Sequence, residues 1–312
     1  MDSHIEVAAE DEHDSAYSGL LVNDAHWAFG TDFEDPLAGV DTTIPEGVDG
    51  SALAAYALML GDDALVMSHR ISEWTSNAPD LEDDIALSNI ALDLLGQARL
   101  LLARAAKADE SLVPALPEGS PAPPEDALAF FREAHDFRNV RLAELVNGDF
   151  AEAVVRVLLF SVWRLATFER LRTSRDHVLA AVAAKGVKEL TYHRDYAARW
   201  FITLAGGTDE SRRRLQQAIT ATWPYVDELF ARNPVEQRLV AAGAAVDSAT
   251  LRGEFDSVLG QIFRAAEMAA PTLRPAALVA GRSGRDGSHT EALSYLLAEM
   301  QSVARAHPTG TW

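Results

Sequence analysis

Apolar residues recur three or four positions apart through almost the whole chain from residue 51 onward, and no segment shows the strict alternation of a strand. The first segment illustrates the pattern, because Leu53, Tyr56, Ala57, Leu60 and Ala64 fall on one side of a helix. Such spacing places apolar side chains on a single helical face that can be buried. The sequence therefore predicts an all-α protein.

Breaks in this pattern divide the chain into eight predicted helices. Proline, glycine and asparagine clusters mark their ends, and Asp80 and Asp176 are suited to cap the helices that follow them. A proline-rich segment at 113–125 separates the first pair from the rest. Several helices exceed twenty residues and are joined by short turns, which is typical of an up-and-down long-helix bundle. Their predicted bounds are 51–76, 80–108, 126–146, 150–172, 176–206, 208–233, 249–269 and 289–306.

The negative charge of the chain is concentrated at its start. Residues 1–50 hold 13 Asp or Glu and no Lys or Arg, which accounts for most of the formal net charge of -20. Because such acidic segments are usually solvated and poorly ordered, we expect a disordered extension at 1–50 and one helical domain at 51–312. A negative protein is repelled by phosphate backbones, so we expect no nucleic-acid partner.

The chain has no cysteine. This excludes disulfides, thiolate zinc sites, cysteine nucleophiles and cysteine-ligated iron–sulfur clusters within it. The opening residues, MDSHIEVAAEDEHD, lack the basic and apolar regions of a secretory signal. No uncharged apolar stretch is long enough to span a bilayer. We therefore expect a cytoplasmic protein that does not enter a membrane.

Long-helix bundles often hold a di-iron centre, whose ligands include an E-x-x-H motif from each of two helices. Residues three apart on a helix point the same way, so both can reach one metal pair. Of the nine histidines, only His13 and His289 follow an acid at that spacing, and neither lies in the middle of a predicted core helix. The sequence therefore predicts that a standard di-iron site is absent. It also lacks zinc-protease, nucleophile-elbow and phosphate-loop motifs.

Glu189 and His193 are four apart on the fifth predicted helix and can share a face. A metal site would need supporting acids on other helices. A hydrogen-bonded polar pair inside the bundle, with neighbouring arginines, is therefore the simpler interpretation.

The segment 281–287 carries three glycines together with Arg282 and Arg285, and a helix start at His289-Thr290 follows it. A flexible surface loop is the simpler interpretation. An anion-binding loop stays open, because backbone N–H groups at a helix start can hold a phosphate.

Four longer segments match one known family in a single order. They are YALMLGDDALVMSHRISEW at 56–74, NAPDLEDDIALSNIALDLLGQARLLL at 77–102, KELTYHRDYAARW at 188–200 and HTEALSYLLAEMQ at 289–301. Shorter matches, NGDFA, SRD and GGTDESRRRLQQAI, fall between them. Together they cover roughly 51–312 and resemble the C-type subunits of bacterial phenylacetyl-CoA epoxidases.

The resemblance implies a ferritin-like long-helix bundle with extra C-terminal helices. It also implies a non-catalytic structural subunit of a monooxygenase that epoxidises phenylacetyl-CoA in phenylacetate degradation. In that family the partner is a di-iron A-type subunit, whose iron activates oxygen. Electrons come from NADPH through a reductase that carries FAD and an iron–sulfur cluster. By this resemblance the chain itself holds no metal or other cofactor.

Alignment with the A-type motifs implies that the metal ligands of that subunit are missing here. Its D-E-A-G-H context falls on Asp93–Gln97, and its K-E-E-x-x-H context falls on Lys188–His193. Leucines in place of carboxylates remove the negative groups that neutralise iron. We expect His193 and Gln97 to hydrogen-bond each other or Ser161. The six relic positions, which stand where the A-type subunit has its ligands, are Ala64, Leu94, Gln97, Ser161, Leu190 and His193.

The resemblance leaves two roles open for Arg282, Arg285 and His289. They receive a phosphate of an acyl-CoA, or they dock against carboxylates of the A-type subunit, which is the simpler role. Two rival functions also stay open for the chain as a whole. One is an autonomous metalloenzyme with an atypical ligand set, and the other is a helical scaffold of an unrelated pathway.

Overall fold

The computed structural model describes residues 37, 39–278 and 281–310. These residues contain eleven α-helices and no β-strand, which confirms the predicted all-α class. Most of the predicted acidic extension lies outside the described residues, and the compact helical unit begins at Val40. The helices are α1 Gly50–Ser72, α2 Leu81–Ala108, α3 Pro124–Phe130, α4 Arg141–Glu144, α5 Phe150–Leu171, α6 His177–Gly206, α7 Asp209–Thr222, α8 Pro234–Ala241, α9 Arg252–Ala265, α10 Glu291–Met300 and α11 Ser302–Ala306.

The four long helices α1, α2, α5 and α6 form the central bundle. Each begins at an aspartate whose side chain accepts hydrogen bonds from the first-turn N–H groups, which is a favourable N-cap. α1 packs along α2, α5 packs along α6, and α2 also contacts α6. The bounds of these four helices agree with the predicted ones within a few residues. The capping aspartates are Asp49, Asp80, Asp149 and Asp176.

The shorter helices cover α1 and α5. α4, α8 and α10 pack on α1, whereas α7 and α9 pack on α5. As a result, 18 of the 23 residues of α1 and 18 of the 22 residues of α5 are buried. The fold is the predicted ferritin-like bundle with extra C-terminal helices.

The predicted helix at 126–146 is wrong, because the chain forms α3, a 3₁₀ turn and α4 in its place. The cause is a pair of buried carboxylates in the middle of α1. Asp62 accepts from the backbone N–H of Arg138 at 2.8 Å, and Asp63 accepts from the backbone N–H of Val140 at 2.8 Å. A continuous helix would hold those N–H groups in its own ladder and leave the buried carboxylates without them.

The predicted helix at 208–233 is too long. α7 ends at Thr222, and two 3₁₀ turns follow, because Pro224 has no N–H to continue the helical ladder. The structure then adds α8, which the sequence reasoning missed. Its start carried a recognisable signal, since Asn233 caps it through its side chain and Pro234 occupies its first turn.

The last two predicted helices are also altered. The one at 249–269 begins as a 3₁₀ turn before α9, and the one at 289–306 divides into α10 and α11. The division falls at Gln301, whose side-chain amide donates to the carbonyl groups of Ala129 and Arg132 at 3.1 and 3.0 Å. This buried amide anchors the C-terminal helices to the end of α3.

Two helices of the described residues, α1 and α2, are long and apolar enough to cross a membrane by length and composition. Neither is an uncharged stretch of the kind that the sequence analysis excludes, because α1 contains Asp62 and Asp63 and α2 contains Asp93, Arg99 and Arg104. In α1, 83% of the most apolar window is buried inside the protein, as in a core helix. In α2 only 50% of that window is buried, so half of it faces outward.

Candidate functional site

The six relic positions lie inside the central bundle. One is on α1, two are on α2, one is on α5 and two are on α6. Their exposed fractions run from 0% to 3%, so each side chain is enclosed by the surrounding helices. Burial at all six agrees with the inward orientation that the alignment implies. The residues are Ala64, Leu94, Gln97, Ser161, Leu190 and His193.

Two hydrogen bonds join α2 to α6 at this level. His193 Nε2 lies 2.9 Å from Asp93 Oδ2, and Gln97 Nε2 donates to Glu189 Oε2 at 2.9 Å. The expectation that His193 bonds Gln97 or Ser161 is therefore wrong. Each has a carboxylate as its partner instead, and bonds to a charged acceptor are stronger than bonds between neutral groups.

Arg164 on α5 extends this network to the other helices. Its Nε donates to Gln97 Oε1 at 2.9 Å, and its Nη1 donates to the carbonyl of Leu60 on α1 at 3.2 Å. The guanidinium is completely buried and lies 4.5 Å from the ring centroid of Phe168 and 5.6 Å from that of Phe160. Burial lowers the pKa of Arg164 to about 10, so the group remains a cation at neutral pH. One polar network thus crosses all four long helices.

The sequence reasoning missed two members of this network, Asp93 and Arg164, whereas it placed Glu189 inside the bundle as a polar residue. A signal was available for Asp93, because it directly precedes a position where the A-type motif has a glutamate ligand. Arg164 lies within the apolar segment FSVWRLATF, where a lone charged residue on a helix indicates a buried polar contact. Neither signal identifies the partner, since that depends on which helices are adjacent.

The donor set does not fit a di-iron centre. Leu94 and Leu190 offer no donor atom, and the described residues contain no group of three or more His, Asp or Glu able to hold a metal ion. His193 Nδ1 is buried without a hydrogen-bond partner among the described residues and could supply one nitrogen. A single nitrogen cannot replace the several carboxylates that iron requires, and the nearby carboxylates of Asp93 and Glu189 are already bonded to His193 and Gln97.

The predicted anion loop contacts α1 next to the relic layer. Arg285 donates to both carboxylate oxygens of Asp63, at 3.0 and 2.8 Å, and its Nη1 also donates to the carbonyls of Met59 and Arg138 at 3.1 and 2.7 Å. Burial alone would lower the pKa of Arg285, but the charge and hydrogen bonds of Asp63 outweigh it and the pKa is raised. Contacts within the chain therefore occupy Arg285, which had been expected to meet a CoA phosphate or a partner carboxylate.

The ring of His289 is also hydrogen-bonded within the chain. Its Nδ1 lies 2.7 Å from Glu144 Oε2, and its Nε2 lies 2.9 Å from the carbonyl of Phe137. Both ring nitrogens face acceptors, and only the imidazolium form can donate to both. Burial works against this charge, but the hydrogen bond and the charge of Glu144 outweigh it, and the pKa of His289 is raised.

The loop itself is closely packed. A Cβ atom on Gly284 would lie 2.1 Å from the carbonyl oxygen of Asn139, and one on Gly287 would lie 2.2 Å from that of His135. Gly287 also has a φ of 73°, which favours glycine. Among the three cations predicted to bind an anion, Arg282 is the one whose side chain is exposed. A role of this loop toward an acyl-CoA or a partner stays a prediction, and it now rests on Arg282.

Two comparisons with known proteins bear on this site. Residues 40–312 match the family model described as phenylacetic acid catabolic protein. The chain is also 41% identical, over 260 residues, to the C-type subunit of the 1,2-phenylacetyl-CoA epoxidase of Escherichia coli (strain K12). That match covers 83% of this chain and 99% of the relative, and the family model spans the four long helices and the C-terminal helices alike.

Proposed function

We propose that this chain, which belongs to the phenylacetic acid catabolic protein family, is the non-catalytic C-type subunit of a phenylacetyl-CoA epoxidase. In this proposal it pairs with an iron-bearing A-type subunit, stabilises that subunit and helps to shape its active site. The similarity to a C-type subunit along nearly the whole length of the relative supports the assignment to this type of subunit.

The observation that carries the non-catalytic role is the buried network around Arg164. Where an oxygen-activating subunit needs several carboxylates to neutralise iron, this chain has two leucines, an amide and a buried guanidinium hydrogen-bonded to that amide. The Arg164 guanidinium links α5 to α1 and α2 through hydrogen bonds, and its positive charge repels a metal cation in the same layer. The layer is therefore suited to hold the bundle together, and the proposal assigns the oxidation to the partner.

The remaining parts of the proposal follow from the family. The complex converts phenylacetyl-CoA to its 1,2-epoxide with molecular oxygen in the cytoplasm. The di-iron centre lies in the A-type subunit, and a separate reductase with FAD and an iron–sulfur cluster delivers electrons from NADPH. In this scheme the C-type chain binds none of these cofactors.

The test is reconstitution with the A-type subunit of the same organism. The tagged chain is co-expressed with that subunit, and the complex is supplied with reductase, NADPH and phenylacetyl-CoA. We expect the two subunits to co-purify and the complex to form the epoxide, whereas the chain alone with reductase forms none. Turnover by the chain alone would overturn the non-catalytic role, and failure of the two subunits to associate would overturn the pairing.

A variant of the relic layer separates a structural role from a catalytic one. His193→Gln removes the one A-type ligand residue that the chain retains and keeps a group able to bond Asp93. The proposal expects the assembled variant complex to keep kcat within about threefold of the wild-type complex, even if its melting temperature falls. Loss of kcat in a complex that assembles with full iron content would place His193 in the catalytic machinery.

A further inference from the structure

The bundle is covered unevenly. Helices α1 and α5 are packed on both sides, but only 13 of the 28 residues of α2 and 10 of the 30 residues of α6 are buried. The two helices lie side by side and run antiparallel, since Asp83 near the start of α2 accepts from Tyr196 and Trp200 in the second half of α6 at 2.9 and 2.7 Å. Their outward sides form one surface, the α2–α6 face.

α2 presents an apolar stripe to this face. Leu81, Ile85, Leu92 and Leu95 are 70%, 53%, 54% and 39% exposed, and together with half-buried Ser88 they are spaced alternately four and three residues apart. That spacing keeps side chains on one line along a helix and is the spacing of helix–helix seams. Half of the twelve exposed large apolar side chains of the described residues lie on α2 and α6. We call these four residues the α2 stripe.

α6 adds charge beside the α2 stripe. Lys188, Tyr192, Asp195 and Arg199 follow the same spacing and line an open groove of about 530 Å³. Lys188 and Arg199 are exposed, and neither makes an ion pair or hydrogen bond within the described residues. The α2–α6 face therefore combines an apolar seam with two unpaired cations at its edge.

The dimensions of the face suit a stable protein interface. The 28 residues of α2 extend about 42 Å, and two helices about 10 Å wide give a footprint of about 840 Å². A standard interface buries about 800 Å² on each partner. A second copy of this chain matches these charges only in part, because in an antiparallel pairing of α6 with itself Asp195 can face Lys188 or Arg199 but not both.

We propose that the α2–α6 face is the docking surface for the iron-bearing subunit, which contributes a helix pair with its own apolar seam and carboxylates opposite Lys188 and Arg199. This inference rests on the proposed function, which supplies the partner, and adds the surface by which the two subunits meet. Apolar burial along the α2 stripe provides affinity, and the two cations set the register of the pairing.

The affinity test compares substitutions of matched exposure. Ile85→Glu combined with Leu92→Glu places two charges in the α2 stripe, whereas Val303→Glu changes a residue on α11 with the same 54% exposure as Leu92. We expect the double variant to raise the Kd for the A-type subunit by about 100-fold or more, and the control to leave it within about threefold. Lys188→Glu with Arg199→Glu should slow association and reduce its dependence on salt.

A crosslinking experiment avoids any question of misfolding. A photoreactive phenylalanine at Leu92 should capture the A-type subunit in the assembled complex, and the same group at Val303 should not. If the wild-type chain binds the A-type subunit, but the double variant binds it equally well and the group at Leu92 gives no crosslink, the assigned surface is wrong and the proposed function stands. If the wild-type chain does not bind at all, the proposed function fails as well. Self-association, or binding to phosphatidylcholine–phosphatidylserine vesicles, that is lost in the double variant would overturn the assignment of the partner.

Discussion

Removal of Arg285 tests whether the C-terminal loop is part of the folded core. The substitution Arg285→Ala deletes two bonds to the carboxylate of Asp63 and one each to the carbonyls of Met59 and Arg138. Asp63 is completely buried and would keep only the N–H of Val140 as a donor. The variant therefore leaves a buried negative charge without its hydrogen-bonded ion-pair partner.

The expected cost is large. Breaking a buried ion pair by removal of one partner typically destabilises a protein by about 3–5 kcal/mol. The double variant Asp63→Ala with Arg285→Ala removes both charges and should cost less than the sum of the two single substitutions, by about 1–3 kcal/mol. The control is Arg282→Ala in the same loop, whose side chain is exposed and which should change the free energy of unfolding by less than about 0.5 kcal/mol.

Urea denaturation followed by far-ultraviolet circular dichroism measures these differences. Wild type and Arg282→Ala should unfold at the same urea concentration, and Arg285→Ala, Asp63→Ala and the double variant should unfold at lower concentrations. If Arg285→Ala unfolds at the same urea concentration as Arg282→Ala, the guanidinium is not buried against Asp63. The loop would then be free to serve as the anion site that the sequence left open.

Three further results are expected. Leu94→Ala and Leu190→Ala should each lower the free energy of unfolding by about 2–5 kcal/mol, because both side chains are buried. The control Leu95→Ala, at a site 39% exposed, should change it far less. Equal effects of Leu94→Ala and Leu95→Ala in thermal denaturation would show that the register of α2 is wrong. The raised pKa of His289 stabilises the fold fully below the ordinary value of 6.5, and that stability is lost as the pH rises through the folded pKa. The urea midpoint of the wild type should therefore fall as the pH rises above 6.5. A fall of the same size in His289→Gln would contradict the assignment of this pH dependence to His289. In the assembled epoxidase, Arg282→Ala should raise the KM for phenylacetyl-CoA if the loop meets a CoA phosphate, and an unchanged KM together with unchanged assembly would remove both predicted roles of Arg282.

The long helices could be predicted from sequence because their signals are local. Apolar spacing defined their lengths, and Asp80 and Asp176 marked the starts of α2 and α6 correctly. The predicted helix at 126–146 failed for a reason that no local signal contains. Its backbone N–H groups are needed by Asp62 and Asp63, which lie more than seventy residues earlier in the chain.

The candidate site was likewise predictable from sequence only in part. Alignment of motifs identified six positions that are all buried, but the hydrogen-bond partners of Gln97 and His193 were wrong. Partner choice depends on the lateral position of α2 against α6, which places Asp93 and Glu189 within reach. The role of Arg164 is likewise set by packing, because its hydrogen-bond acceptors lie on α1 and α2 and its own sequence neighbours are apolar.

The iron content of the chain tests the central claim most directly. The chain is expressed alone and together with the A-type subunit in iron-supplemented medium, and iron is measured per polypeptide by elemental analysis and by native mass spectrometry of the intact complex. We predict far less than one iron per chain in isolation and, in the complex, iron bound to the A-type subunit alone. About one or more iron atoms retained by the isolated chain, and lost on His193→Gln, would contradict this claim.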